Sequence, residues 1–474
     1  MPVMIMPKAW EIENFLDIRD NKLHVSGVPA DAIAREYGTP VFVFSEARIK
    51  HNVERLKRAK YSIDVPLKVC YAAKANSTMG ILRAVMEAGS DLEVNSGGEL
   101  WKALEIGFSG DQLIFNGTSK EVWELEMAIE AGIYAIQVDS VYELSLIEAT
   151  AKRLGKRANV SLRLVPEIET GTHSGLQTAL RTSKFGMMPE EAFSAIGRYS
   201  DSANLEISGV HLHIGSQNPE SEPYAKAFTM LFESLLRVHR ETGIRLKHIN
   251  LGGGFPVNYL RDRSQESEFP GEQRAMFQAD FEPADAIREA WDAVRLTAES
   301  AGAADLLHEI TLLIEPGRSV ISDAGICLTT VRNHKSRPLD PLVSKTDDWL
   351  LTDAGFNILL SMETYKWYYH LISAERAAEP HTCEYKLAGP LCDGGDVYFD
   401  IEGHGRLPDH RLLPDGVRPG EILALLNCGA YSLAQASQYN GRFLPTVILI
   451  RSNGKAEVIR KRDTFLDLVS RDIY

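Results

Sequence analysis

Lys74 stands in YAAKAN, directly after the apolar run LKVCYA. Lysine is rarely set at a buried strand end without a reason. A Schiff-base lysine needs such a setting, because desolvation lowers its pKa and frees the amine to attack an aldehyde. The plainer alternative is a lysine that snorkels along apolar surface to water. LGGGF (251–255) follows the run HIN. Its three glycines leave backbone N–H groups unobstructed for a phosphate, and a tight turn is the competing explanation. EPGRS (315–319) follows the apolar TLLI. A carboxylate there is costly without a partner. Glu315 is either half of a structural ion pair or a holder of a proton on a heterocyclic nitrogen, with Arg318 free to bind an anion.

HLHIGSQ (211–217) ends another apolar run. His211 and His213 alternate along a strand, which puts them on opposite sides and argues against a metal pair. Gly215-Ser216 reads as a polar turn able to reach an anion. GPLCDGGD (389–396) sets Cys392 beside Asp393 and Asp396 in a glycine-rich turn. Turn chemistry explains Asp and Gly but not the cysteine. Tyr431 follows a Gly-Ala turn, and Tyr439 lies in QYN; packing is the alternative for both.

The elements that hold these residues fall into two textures. Between about Pro40 and Pro316, short apolar runs alternate with amphipathic stretches about eight times, which implies parallel βαβ units and a (β/α)8 barrel. After Arg318 the runs are short, β-branched and separated by Pro and Gly, which predicts a C-terminal antiparallel β-domain. NKLHVSGVP near the start is a candidate strand of that domain. The expected division is a barrel over 43–319 and a β-sandwich or β-barrel domain from 1–42 plus 320–474. The segments 261–274 and 401–419 read as surface loops.

Composition narrows the function classes. Charge is 51 basic against 65 acidic residues, a net of −14, which argues against nucleic acid or an anionic membrane as partner. Five cysteines without a CxxC pair argue against a disulfide framework or zinc knuckle and favour a reducing, cytoplasmic setting. No signal peptide and no 18-residue apolar run is read.

Taken in order, YAAKAN, NSGGEL (95–100), FNGTSK (115–120), KFGM (184–187), HIGSQ, GGGF, EPGR, CDGGD and GAY resemble the fold-type III pyridoxal-phosphate decarboxylases, the diaminopimelate and ornithine decarboxylase group. The resemblance spans nearly the whole chain. HIGSQ and the SGGEL–KFG context are closer to the diaminopimelate enzymes; CDGGD is closer to the ornithine side. The resemblance implies a barrel carrying pyridoxal 5′-phosphate, an alanine racemase-like β-domain, and amino-acid decarboxylation. Lys74 would hold the cofactor as an aldimine and His213 would stack on its ring. Ser216, Gly252, Gly253, Gly254 and Tyr431 would hold the phosphate with Arg318 nearby, and Glu315 would bond the pyridine nitrogen. Arg318, Asp393 and Tyr431 would meet substrate. The resemblance also implies a homodimer in which Cys392 and Asp393 reach the other subunit's site, Cys392 as proton donor and Asp393 against a distal ammonium.

One departure bears on the substrate. The diaminopimelate enzymes typically carry Asn-x-x-x-Arg-Pro after DAG, and that arginine binds the distal carboxylate. Here DAGFNILLSMETYKWYYH (353–370) has Ser361 at that place, Met362 for the proline, and Lys366 out of register. Ornithine, lysine, or a siderophore or natural-product amino acid are therefore alternatives to diaminopimelate. A racemase is disfavoured by Cys392, and a non-catalytic regulatory homologue by the intact lysine and cofactor shell.

Overall fold

The computed structural model describes residues 11–12, 15–165, 167–168, 171, 180–260, 271–279, 281–340 and 343–473. The chain divides into two compact units. The barrel unit comprises Lys50–Pro256 and Ala279–Val320; the β unit comprises Met1–Ile49, Val257–Gln278 and Ile321–Tyr474.

In the barrel unit eight parallel strands close on themselves: β1 Leu67–Ala72, β2 Asp91–Val94, β3 Leu113–Phe115, β4 Ala135–Val138, β5 Ala158–Arg163, β6 Leu205–His211, β7 His248–Asn250 and β8 Thr311–Ile314. β8 returns to β1 through the register Leu312↔Leu67 to Ile314↔Val69, which closes the barrel. The strands are short and almost wholly buried, as a barrel strand covered on both faces must be. Intervening helices bury one apolar stripe each. Met79–Glu87 turns Ile81, Leu82, Ala84 and Val85 inward.

NSGGEL is a helix start. Ser96 Oγ accepts from the Glu99 N–H at 3.3 Å, and Glu99 Oε2 accepts from the Asn95 N–H at 2.8 Å, so two orphan donors of Gly97–Ile106 are satisfied. This capping rigidly joins β2 to its helix at the end where a barrel carries its chemistry.

The β unit holds a small sheet of Leu16–Arg19, Lys22–Val25 and Val28–Pro29, so NKLHVSGVP is strand. Its main sheet runs Arg411–Leu413, Cys383–Ala388, Val343–Thr352, Gly325–Asp340, Val41–Ser45, Thr446–Ile450, Ala456–Arg460 among the described residues. The expected antiparallel pattern is not uniform. Val41–Ser45 lies parallel to Thr446–Ile450, and Val343–Thr352 parallel to Cys383–Ala388. Val41–Ser45 and Thr446–Ile450 are buried at every residue, the condition in which parallel pairing is stable. Val257–Gln278, inside the stretch expected to be barrel, groups with this unit.

Two loop expectations change. Gly271–Phe277 is helical, with Met276 and Phe277 buried, and 261–270 lies outside the described residues. Within 401–419, Arg411–Leu413 is an edge strand on Cys383–Ala388. A buried Arg411, donating to the Tyr398 carbonyl at 2.7 Å, holds it there despite its polar surroundings.

Candidate active site

Lys74 is the exposed residue of a short 3-10 turn, Ala73–Ala75, that leaves β1 between two buried alanines. The Tyr71 hydroxyl donates to the Asn76 carbonyl at 3.1 Å, and the Ala72 N–H to the Pro316 carbonyl at 3.0 Å. The turn is thus pinned to the exit of β8. The Lys74 charge acts on Glu93, Glu99, His211 and His213.

On the two strands that flank β1 lie two buried carboxylates, Glu315 directly after β8 and Glu93 in β2. Asn116 Nδ2 donates to both, at 2.7 Å to Glu93 Oε1 and 2.9 Å to Glu315 Oε2. Asn250 Nδ2 donates to Glu315 Oε1 at 2.7 Å, and His211 Nε2 lies 3.5 Å from Glu315 Oε2. Burial alone would raise both carboxyls. For Glu315 that effect is outweighed by His211 and the amide donors, which bring it down to about 2. Glu93 has Lys74 and Asn116 in its favour, but burial and the nearby Glu315 charge push it up to about 7. The surroundings thus favour the ionised form at Glu315 and the protonated form at Glu93.

The glycine run packs against the main chain of Glu315 and Gly215. A Cβ on Gly253 would overlap the Glu315 carbonyl, and one on Gly254 would overlap the Gly215 carbonyl, so a backbone approach this close requires glycine. Gly252 donates its N–H to Asn250 Oδ1 at 2.9 Å and Gly253 to His213 Nδ1 at 3.1 Å. Among the described residues the Gly254 N–H has no acceptor. The Asn218 N–H donates to the Gly254 carbonyl at 3.1 Å, which ties HIGSQN to the glycine turn. Ser216 Oγ accepts from Arg318 Nε at 3.2 Å. Ser216, Arg318 and the Gly254 N–H therefore form one anion-directed group.

His213 Nδ1 accepts, which leaves the ring proton on Nε2. Burial, with Lys74 and Arg163 charges adding to it, holds His213 well below the ordinary histidine range. The alternation argument put His211 and His213 on opposite sides. Both reach this group instead, because β6 ends at His211 and the chain leaves the pleat before His213.

The sequence reading missed Glu93, Asn116 and Asn250. Asn116 and Asn250 stand at β-strand ends within quoted runs, where a polar residue after buried ones was the available signal; Glu93 lies inside β2 and carried none. KFGM supplies a platform: the Arg163 guanidinium lies 4.3 Å from the Phe185 ring centroid, and the Gly186 N–H donates to Asp139 Oδ1 at 2.8 Å. FNGTSK contributes Lys120, fully engaged with Gly117 O, Gln137 O and Glu143 Oε1.

Tyr431, Cys392 and Asp393 belong to the β unit. Tyr431 is half-buried with φ +58° in the turn after Ile422–Leu425. Cys392 is exposed, and its N–H donates to Asn440 Oδ1 at 2.6 Å. Asp393 accepts from the Tyr439 hydroxyl at 3.1 Å and the Gly395 N–H at 2.9 Å. Asp396 is the internal anchor of this turn, accepting from the Leu391 and Phe356 N–H groups at 2.8 and 2.9 Å. Ser361 is buried, its hydroxyl 3.4 Å from Gln435 Oε1, and Lys366 is buried with Nζ 2.9 Å from Glu363 Oε2. Trp367 stands edge-to-face on Tyr259 and Phe277, both at 5.2 Å, so it serves packing. Arg181 is exposed and pairs with Glu167 at 3.4 Å.

The Glu93 assignment gives a pH test on cofactor-free protein. Glu93 keeps its native proton to about pH 7, whereas the unfolded carboxyl releases it near 4.5. Its contribution to stability is therefore lost as pH rises through that window, by at most about 3 kcal/mol. His211, His213 and His248, lowered by burial, push the opposite way up to about pH 6.5. The informative quantity is the difference: Glu93→Gln should gain stability relative to the parent between pH 5 and 7 in urea unfolding. A constant difference would mean that Glu93 is ionised throughout.

A lysine at a barrel strand end, an ionised buried carboxylate and a glycine–serine–arginine anion group define an enzyme site for a phosphorylated aldehyde cofactor. Residues 48–322 match the family described as pyridoxal-dependent decarboxylase, pyridoxal binding domain. The diaminopimelate decarboxylase of Methanocaldococcus jannaschii is 33% identical over 464 residues, 97% of this chain and 96% of that protein. The Bacillus subtilis diaminopimelate decarboxylase is 32% identical, covering 95% of each. A crystal structure of the M. jannaschii enzyme in complex with L-lysine superimposes with a TM-score of 0.82 at 32% identity, covering 97% of this chain and 98% of that one. The chain belongs to the pyridoxal-dependent decarboxylases and is a pyridoxal-phosphate-dependent amino-acid decarboxylase. The residues present fit that cofactor: Glu315 is a buried carboxylate met by the Asn116 and Asn250 amides and by His211, and the glycine run leaves no room for side chains. Among the described residues no helix is long and apolar enough to cross a membrane.

Proposed function

We propose that this chain decarboxylates a diamino acid, with Lys74 as the residue that carries the cofactor. The observation that carries the proposal is the buried Glu315 carboxylate, held by Asn116 and Asn250 after the strand that neighbours the one leading to Lys74. When bound, pyridoxal phosphate supplies an electron sink for the pair left as carbon dioxide departs. Glu315 keeps the proton on the pyridine nitrogen, which deepens that sink. Asn116 and Asn250 fix its two oxygens, and burial together with the Glu315 charge disfavours a second charge on Glu93 beside it.

Ser216, Arg318 and the Gly254 N–H bind the phosphate with Tyr431; Gly252 and Gly253 permit the approach and lock His213. The His213 ring, neutral and fixed by Gly253, offers its face to the pyridine. Arg318 and Tyr431 also meet the substrate. Cys392 delivers a proton to the α-carbon, and Asp393 receives the distal ammonium. The relatives named above act as diaminopimelate decarboxylases, which supports a substrate of that size. The test is carbon dioxide release from a panel of lysine, ornithine and both meso- and L,L-diaminopimelate by yellow, cofactor-loaded protein. No release from any of them would overturn the reading.

Assembly is part of the proposal. We infer a homodimer with shared sites, in which Cys392 of one chain serves Lys74 of the other. Mixing inactive Lys74→Ala with inactive Cys392→Ala chains should restore activity, to about a quarter of the parent if half the dimers are mixed and each regains one site. No recovery after verified chain exchange would count against sharing.

A further inference from the structure

A second site is written into the β unit. A cavity of ≈ 610 Å³ opens there, lined by Arg332, Asp353, Arg442, Arg462, Leu391 and Phe465 among others. That volume lies in the ordinary range for small-molecule sites. Three guanidinium groups face one carboxylate. Asp353 is already committed: it accepts from Thr39 Oγ1 and Thr329 Oγ1 at 2.7 Å, from the Thr330 N–H at 3.0 Å and from Arg332 Nε at 2.9 Å. It pairs with Arg332, and its charge also reaches Arg462, so one carboxylate serves two of the three guanidiniums.

Arg442 and Arg462 each donate one Nη2 hydrogen bond of 2.8 Å to a carbonyl, Pro390 O and Pro40 O respectively. A carbonyl orients a guanidinium without neutralising it. Among the described residues neither arginine is paired with a carboxylate. Asp463, next along the chain, turns away to the Gln438 side chain and the Leu444 N–H. Arg442, which is exposed, and Arg462 feel Asp396 and Asp353 only without an ion-pair contact, so positive charge is in excess in this cavity of a chain of net charge −14. Burial, helped by the Arg332 charge and opposed by Asp353, pulls the Arg462 guanidinium below its ordinary value. The rest of the wall mixes polar Thr39, Asn333, Thr352 and Asn357 with apolar side chains, Phe443 standing edge-to-face on the largely exposed Phe465 at 5.1 Å.

We propose that this cavity binds a small organic dianion, carboxylate or phosphate, held by the forked guanidiniums of Arg442 and Arg462 with its apolar body against Phe443 and Phe465. The planar fork matches either oxyanion bidentately. The cavity wall continues into the Cys392 turn. Leu391 lines it, the Leu391 N–H is held by Asp396, and the Cys392 N–H by Asn440. Occupancy therefore bears on the backbone that carries Cys392, whatever the substrate of the barrel site.

The test is calorimetric titration of the cofactor-loaded full chain with succinate, with inorganic phosphate and with uncharged succinamide. At least one anion should bind saturably and succinamide should not. Arg442→Gln and Arg462→Gln should each weaken binding about tenfold or more, while Arg318→Gln leaves it unchanged. The succinate-to-phosphate ratio identifies the preferred oxyanion. If either glutamine variant fails to fold, by circular dichroism, Arg→Lys at the same position keeps the charge, loses the fork, and should still weaken binding. The proposal is overturned if neither anion saturates below about 10 mM, if binding survives the substitutions at both arginines, if succinamide binds as well as succinate, or if the binding vanishes with Arg318→Gln.

Discussion

Lys74→Ala should give a folded, colourless protein with turnover reduced by about 10⁴-fold or more, because no other group in the barrel unit can take over a covalent role. The neighbouring lysines are committed elsewhere. Lys120 is buried on Glu143 and two carbonyls, Lys102 donates to Ser77, and Lys68 pairs with Asp91 at 2.7 Å. Among the described residues only the Lys74 turn combines a strand end, an exposed side chain, and an electrostatic link to Glu93 and His213. Two readouts separate the chemical role from a structural one. The visible absorbance of loaded protein should disappear, while the urea midpoint of the cofactor-free chain changes little, since an exposed side chain on a buried turn contributes little to packing. Borohydride reduction of the parent followed by peptide mapping should label Lys74. Label on any other lysine would sink the assignment.

What the sequence disclosed of this site follows from distance along the chain. Lys74, the glycine run, Ser216, Glu315 and Arg318 each sit in a short segment whose composition is odd for its setting, and local oddity is legible. Glu93 is not odd locally. In DLEV it passes for a polar strand residue, and it becomes significant only because Asn116 bridges it to Glu315. Asn250 likewise looked like the approach to a glycine turn, whereas it orients both the Gly252 N–H and Glu315. Barrel strands were readable because both faces are buried and the runs are short and apolar. The edge strand Arg411–Leu413 was not, since its apolar residues are few and a buried arginine fixes it. The parallel pairing of Val41–Ser45 with Thr446–Ile450 joins the two ends of the chain, a relation no local pattern carries.

Substrate choice should follow the charge around the Cys392 turn, and lysine or ornithine should be processed with kcat/KM at least equal to that for meso-diaminopimelate. A distal carboxylate needs a fixed cation, and leaving one buried and unpaired costs several kcal/mol, on the order of a thousandfold in specificity. Ser361, at the place where the resemblance expects an arginine, is buried against Gln435 and carries no charge. Lys366, the nearest candidate replacement, is already paired with Glu363 at 2.9 Å, so it offers no net positive charge. Arg181 is exposed and paired with Glu167. Aromatic attraction for an ammonium contributes nothing from Trp367, which is spent on Tyr259 and Phe277. The acids remain: Glu363 Oε1 approaches Gly395, where a Cβ would stand 3.4 Å from it and equally far from Asp393 Oδ1. Glu363, Lys366 and Asp393 together carry one net negative charge, which suits an ammonium and repels a carboxylate. Two measurements bear on this. Side-by-side kinetics on the two substrate classes should favour the amino acids without a distal carboxylate, and Ser361→Arg should shift the ratio toward diaminopimelate by tenfold or more, about 1.4 kcal/mol. A strong preference of the parent for meso-diaminopimelate would defeat the argument and require that the cation come from another part of the assembled enzyme.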